Sequence, residues 1–120
     1  MNLITDIGRL LFGIPMVVFG VFHFINTQSL KNIVPAIIPG DTFWVILTGA
    51  ALVAAGVSII IKKQTQTTCY FLAIMLLCFV ILIHLPNAIG GNLDSVNAVL
   101  KDTALAGGAI LLGQSYKAKP

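Results

Sequence analysis

The chain has 120 residues, of which 58% are hydrophobic and only 9% are charged, and its formal net charge is +3. An ordinary soluble domain carries about 25% charged residues, so this composition excludes a water-exposed globular surface and is typical of an integral membrane protein. The few cations flank apolar segments, which fits membrane topology rather than nucleic-acid binding. The length allows a single membrane domain, 1–120, with at most four or five helices of about 20 residues that cross the bilayer.

The hydrophobic pattern predicts four spanning helices in chain order, at about 4–25, 42–61, 68–85 and 96–113. Prolines interrupt the segment that follows the first span, and a pair of lysines ends the second. Pro86 closes the third span, and Asp94 and Ser95 offer N-caps for the fourth. We therefore predict an all-α fold, an integral membrane four-helix bundle.

Four spans place both termini on the same side of the membrane. That side carries most of the cations, namely Arg9, Lys62, Lys63, Lys117 and Lys119, whereas the other side carries Lys31 and Lys101. Because short cytoplasmic loops are enriched in lysine and arginine, we expect both termini in the cytoplasm. The loop 29–41 then faces outward, and its apolar residues place it either at the membrane interface or as a re-entrant segment between the helices.

Small residues recur in the second and fourth predicted spans. Ala50 and Ala54, and likewise Ala104 and Gly108, have the small-xxx-small spacing that lets helix backbones approach closely. This spacing predicts tight helix packing, and it fits contacts within one chain as well as contacts in a homo-oligomer.

The predicted topology gathers polar side chains from different spans toward the outer end of the bundle: His23, His84, Asn87, Asn97, Lys101 and Asp102. We single these out as candidate ligand-binding residues, because a charge inside the membrane costs about 2.5 to 3.5 kcal/mol and usually pairs or faces the bundle interior. We expect Asp102 to face inward. Lys101 either reaches the headgroups with its long stem or turns inward toward an acidic partner or a bound anion.

The two histidines allow several interpretations. Each is either an interfacial residue bonded to a carbonyl or part of a pair that donates hydrogen bonds to a quinone carbonyl, ligates haem, or relays protons, since histidine titrates near neutrality. Haem is disfavoured because its ligands would lie deeper in the helices. We predict no metal site, since no HxxxH or similar ligand spacing is present.

Near the cytoplasmic end, Asp6 and Arg9 are spaced to lie on one helix face. We regard them as structural polar residues. Arg9 either anchors the span at the interface or turns inward, where it holds the bundle together through carbonyls or binds an anionic lipid or substrate.

Three stretches resemble the DoxX family of small bacterial four-helix membrane proteins: "GRLLFGIPMVVFGVFHFIN", "LTGAALVAAGVSIII" and "KDTALAGGAILLG". The resemblance extends from Ile7 to Gly113, and the positions that match the family's polar and glycine pattern are Arg9, Gly20, His23, Gly49, Gly56, His84, Lys101 and Gly108. It implies a bacterial inner-membrane location and a role beside membrane oxidoreductases that use quinones. The chain has no CxxC pair, and Cys69 and Cys78 point to opposite sides of one helix, which disfavours the disulfide-forming role suggested for some relatives.

Three functions follow as hypotheses. The first is a quinone-contacting or redox-associated subunit, with membrane or peripheral redox subunits as partners. The second is a non-catalytic scaffold that assembles other subunits in the bilayer. The third is a small transporter subunit, which would have to oligomerise because four helices are too few to rock two halves against each other. No reaction follows from these residues, so the sequence leaves open whether the chain is an enzyme.

Overall fold

The structure is a computed structural model that describes residues 3–33 and 39–116. Within these ranges it contains helices and turns and no strand, and the helices long and apolar enough to cross a membrane are Leu3–Ile25, Asp41–Ile60, Thr65–Ile89 and Leu93–Ser115. The prediction of an all-α protein with four such helices is confirmed. A short helix, Thr27–Leu30, and a 3-10 turn, Lys31–Ile33, follow the first long helix. The centre of the loop 29–41 lies outside the described residues.

The four long helices form two hairpins. The first helix packs most extensively against the second, the third packs against the fourth, and contacts between the two pairs are fewer. We call these pairs the N-terminal hairpin (Leu3–Ile60) and the C-terminal hairpin (Thr65–Ser115). The two hairpins are therefore packed less closely against each other than the helices within each hairpin.

Glycine determines how closely the N-terminal hairpin packs. Gly13 and Gly20 on the first helix oppose Gly56 and Gly49 on the second, and a spacing of seven residues keeps each pair on one helix face. A Cβ atom at Gly20 would lie 2.7 Å from the Gly49 carbonyl oxygen, and one at Gly56 would lie 2.9 Å from that of Gly13. The two backbones are therefore in direct contact, the arrangement that small residues permit between membrane helices.

The predicted Ala50-xxx-Ala54 motif does not take part in this packing. Both alanines are exposed, whereas Gly49, Leu52 and Ala55 on the same helix are buried. Ala104 is likewise exposed on the fourth helix. The small residues that make the close contact are thus the glycines, and on the second helix these are Gly49, just before the predicted motif, and Gly56, two positions after it.

The core lies between the hairpins and is small. Met16, Ile59, Cys69 and Leu72 are fully buried there, while many large apolar side chains elsewhere are exposed, such as Ile89 at 79% and Leu111 at 72%. An exposed apolar surface of this kind suits contact with lipid. Cys69 is buried, Cys78 is exposed and both are free, as expected for cysteines on opposite sides of one helix.

The third and fourth helices extend beyond their predicted bounds. The third continues past Pro86 to Ile89, because the turn before the proline, Val80–His84, is a π-helix. A proline cannot donate to the carbonyl four residues back and its ring crowds that carbonyl, and a wider turn relieves both problems. The fourth helix begins at Leu93, earlier than predicted, since the Asn92 side chain accepts from the Ser95 backbone N–H at 3.1 Å and acts as the N-cap.

Candidate functional site

A half-open cavity of about 830 Å³ lies between the two hairpins, and several of its lining side chains, such as Phe71 and Leu82, are exposed at its open side. On the third helix its lining runs from Phe71 to His84, roughly 20 Å at 1.5 Å per residue. Most of the wall is aromatic or aliphatic, and the polar residues cluster where the first and third helices end and the fourth begins. The predicted ligand-binding residues that line it are His23, His84, Lys101 and Asp102. The fold thus brings residues from three helices to one apolar cavity, as the topology predicted.

His84 and Asp102 form a pair across the C-terminal hairpin. The Nε2 atom of His84 lies 3.3 Å from Oδ2 of Asp102, and their side chains are 21% and 10% exposed. Asp102 faces inward, as expected, and it lies one turn from the buried Ala106 on the same face of the fourth helix. A carboxylate held this deep in an apolar bundle needs a polar partner, and the imidazole lies within ion-pair distance of it.

The π-helical turn directs His84 toward Asp102. Along the third helix the buried face passes through Cys69, Leu72, Leu76 and Val80 with α-helical spacing. If the α-helical spacing continued, the next position on the buried face would lie midway between residues 83 and 84. A π turn contains about one more residue than an α turn, so His84 is the residue that lies on the buried face. π turns of this kind are frequent at functional sites.

Replacement of Pro86 by alanine is expected to separate His84 from Asp102. Residue 86 then regains an N–H that can bond the Leu82 carbonyl, so the π turn tightens to an α turn and His84 rotates. The measurement is a double-mutant cycle on thermal unfolding in detergent, with Asp102→Asn as the second change. We expect Asp102→Asn to lower the Tm of the wild type and to have little further effect beside Pro86→Ala.

Pro15→Ala is the matched control, because Pro15 lies within the first helix and away from the π turn. Beside it, the full effect of Asp102→Asn should remain. An unchanged effect of Asp102→Asn beside Pro86→Ala would contradict the positioning role of Pro86.

His23 and Lys101 line the cavity from the first and fourth helices. Nδ1 of His23 lies 2.7 Å from the Phe19 carbonyl oxygen, so His23 satisfies one nitrogen through its own helix. Lys101 Nζ lies 5.4 Å from the centre of the Phe19 ring, a distance at which a cation is attracted to the ring face. Lys101 is therefore turned toward the first helix rather than paired with Asp102, its neighbour in sequence.

Two predicted ligand-binding residues lie outside the cavity. Asn87 is exposed, and its side chain donates to the Ile83 carbonyl at 2.9 Å, where the π turn leaves the helix irregular. Asn97 is exposed near the start of the fourth helix and is not part of the cavity wall. These two residues thus lie at the predicted end of the bundle, but on sides of their helices that do not face the cavity.

Other residues of the wall were not predicted as site residues. Trp44 lines the cavity and donates from Nε1 to the Pro39 carbonyl at 2.9 Å. Phe19 and Thr48 also line it. Phe19 lies four residues before His23, so the helical repeat alone could have placed it on the same face.

The predicted structural residues lie at the opposite end of the bundle. Arg9 is 6% exposed, and its guanidinium donates to the carbonyls of Ile59, at 3.1 Å, and of Ile60 at the end of the second helix. Asp6 lies 3.5 Å from Arg9 and 3.3 Å from Lys62. Of the two alternatives for Arg9, the geometry matches the inward arginine that holds the bundle through carbonyls.

One family model matches the chain, and it covers residues 12–95. Its description is a domain of unknown function, DUF8561. The matched segment includes His23 and His84 and ends before Lys101 and Asp102. No curated protein and no solved structure matches the chain. Since the match covers more than half of the residues, the chain belongs to the DUF8561 family.

Proposed function

We propose that this chain is a DoxX-like protein of the bacterial inner membrane that holds a quinone-type ligand between its two hairpins. Both termini lie in the cytoplasm, so the polar end of the cavity lies toward the outer leaflet. The chain acts as the quinone-contacting subunit of a membrane oxidoreductase system, and membrane or peripheral partner subunits supply the redox cofactors. The DoxX resemblance and the distribution of cations support the location and the orientation.

The observation that carries the proposal is the His84–Asp102 pair in the wall of a largely apolar cavity. Ionisable residues are expensive inside a membrane, and those that persist there commonly mark a binding or proton pathway. Small-molecule sites are mostly apolar cavities with a few convergent polar groups. This cavity has that composition, since its wall combines four ionisable residues with aromatic side chains: Phe19, Phe22, Trp44, Phe71 and Phe79.

The shape of the cavity favours an amphiphilic ligand with a ring at one end. Its polar residues lie at the end formed by His23, His84 and Asp102, and its deeper part is lined by apolar side chains such as Leu52 and Met75. A quinone ring with hydrogen-bonding oxygens matches the polar end. An isoprenoid tail matches the apolar part of the cavity between the two hairpins.

Binding is measured through the fluorescence of Trp44, which is the single tryptophan of the chain and lines the cavity. A decyl-substituted benzoquinone is titrated into the purified protein in nanodiscs, in the oxidised form and again after reduction. We expect saturable quenching in the wild type. His84→Ala and Asp102→Asn should each weaken binding about tenfold or more, because each removes a group that orients the other in an apolar site.

Asn97→Ala is the matched control, since Asn97 is a polar residue of the same helix as Asp102 that lies outside the cavity wall. It should bind as the wild type does. The proposal fails if neither form of the quinone binds, or if the Asn97 and Asp102 variants lose affinity equally. The first of these results would favour the scaffold hypothesis.

A further inference from the structure

We infer that the cavity prefers the reduced, hydroxyl-bearing form of its ligand, a hydroquinone, over the oxidised quinone. The inference rests on the proposed function and adds the chemical form of the ligand. It comes from counting which hydrogen-bond donors and acceptors the wall still has free. The sequence alone had suggested that the two histidines donate to a quinone carbonyl, and the geometry of the rings leads to the opposite pattern.

The N–H group of the neutral His23 ring already forms a hydrogen bond within the first helix. A carbonyl oxygen can only accept, so the 2.7 Å contact with Phe19 requires the proton on Nδ1. In the neutral imidazole the other nitrogen, Nε2, then carries a lone pair and acts as an acceptor. Nε2 is the ring nitrogen farther from the backbone, and no described residue forms a hydrogen bond with it.

His84 has used its donor as well. Its Nε2 lies 3.3 Å from Asp102 Oδ2, and a neutral imidazole can face a carboxylate oxygen favourably only with its proton on Nε2, which leaves Nδ1 as an acceptor. No described residue donates to this nitrogen. Two histidines on two helices therefore present acceptors, not donors, to a ligand in the cavity between them.

The other polar groups of the wall do not occupy the two imidazole acceptors. The Thr48 hydroxyl donates to the Trp44 carbonyl at 2.8 Å, and the Trp44 indole donates to Pro39, so the donors of both are used. Asn26 and Ser29 also line the cavity, and both are exposed, as Lys101 is. The wall thus offers donors in Lys101, Asn26 and Ser29 beside two imidazole acceptors.

A quinone oxygen can only accept, so a bound quinone can use these donors but leaves the imidazole nitrogens without partners. A hydroquinone hydroxyl both donates and accepts, so it can bond an imidazole nitrogen and still accept from Lys101. A buried acceptor without a partner is costly, and one neutral hydrogen bond changes affinity by up to about tenfold. The preference for the hydroquinone should therefore be about tenfold or more.

The test compares three ligands that share one ring and one tail: a decyl-substituted benzoquinone, its hydroquinone and the dimethyl ether of that hydroquinone. Their dissociation constants are measured anaerobically by Trp44 fluorescence on the wild type. We expect the hydroquinone to bind about tenfold tighter than the quinone. The dimethyl ether should lose this advantage, because its oxygens can no longer donate.

The variants His23→Phe and His84→Phe keep an aromatic ring and remove the acceptor. Each should weaken the binding of the hydroquinone more than the binding of the quinone, and so reduce the hydroquinone's advantage. A quinone that binds as tightly as the hydroquinone, or an ether that does so, would overturn this inference and leave the proposed function standing. If none of the three ligands binds, both fall together.

Discussion

Gly20→Ala is expected to destabilise the N-terminal hairpin by about 3 kcal/mol, the upper end of the usual cost of an overpacked contact. The added Cβ would lie 2.6 Å from Val53 Cγ2 and 2.7 Å from both the Val53 nitrogen and the Gly49 carbonyl oxygen. Two of these three atoms belong to the backbone of the second helix, so no side-chain rotation can relieve the overlap. The helices must move apart along a contact that extends from Gly13 to Gly20. The free energy of unfolding in mixed detergent micelles measures the effect.

The same substitution at Gly8 is the matched control. Gly8 lies on the same helix, and a Cβ there would meet nothing within 4 Å. Gly8→Ala should leave stability unchanged or raise it by up to about 1 kcal/mol, because alanine is a better helix former than glycine. Equal effects at the two positions would show that helix propensity, and not close backbone contact, accounts for the glycines.

The helices themselves could be predicted from the sequence because one physical requirement fixes them. Runs of about 20 apolar residues satisfy both the hydrocarbon thickness and the backbone hydrogen bonds of a spanning helix. The observed helices Leu3–Ile25 and Asp41–Ile60 accordingly begin and end within one residue of the predicted spans 4–25 and 42–61. Which helices pair most closely was not predictable from hydropathy, since lipid-facing and protein-facing residues are equally apolar.

The third helix shows where local rules were insufficient. Pro86 indicates a helix end in most sequences, and the prediction placed the end at residue 85. The helix instead continues to Ile89 through the π turn Val80–His84. The wider turn accommodates the missing N–H of Pro86, and the usual rule that a proline ends a helix does not include this response. The same turn directs His84 toward Asp102.

The sequence predicted how deep the candidate site residues lie in the bundle, but not which of them face the cavity. Topology alone places His23, His84, Lys101 and Asp102 at one end of the bundle, and all four line the cavity. The same argument included Asn87 and Asn97, which point elsewhere, because membrane depth says nothing about the angle around a helix axis. The hydrogen-bonding state of each imidazole depends on contacts of about 3 Å, and only the three-dimensional structure provides those.

Arg9→Ala should lower the free energy of unfolding by about 3 kcal/mol, because hydrogen bonds to a charged group contribute about 1.5–3 kcal/mol each and those of Arg9 are buried. The guanidinium binds two carbonyls at the end of the second helix, those of Ile59 and Ile60. The Ile59 carbonyl also accepts from the Lys62 N–H at 3.3 Å, whereas Arg9 is the one described donor to Ile60. Arg9 thereby joins the start of the first helix to the end of the second, and its removal leaves the Ile60 carbonyl without a partner among the described residues.

Two further variants separate the role of the guanidinium from the role of its charge. Arg9→Lys retains the charge but lacks the planar fork that reaches two carbonyls and Asp6 at once, so it should recover only part of the lost stability. Lys62→Ala removes an exposed cation that pairs with Asp6 at 3.3 Å, and a pair of this kind contributes less than about 1 kcal/mol. Thermal unfolding in one detergent compares all three variants. If Arg9→Ala were as stable as Lys62→Ala, Arg9 would be an interfacial anchor and the second helix would end without its support.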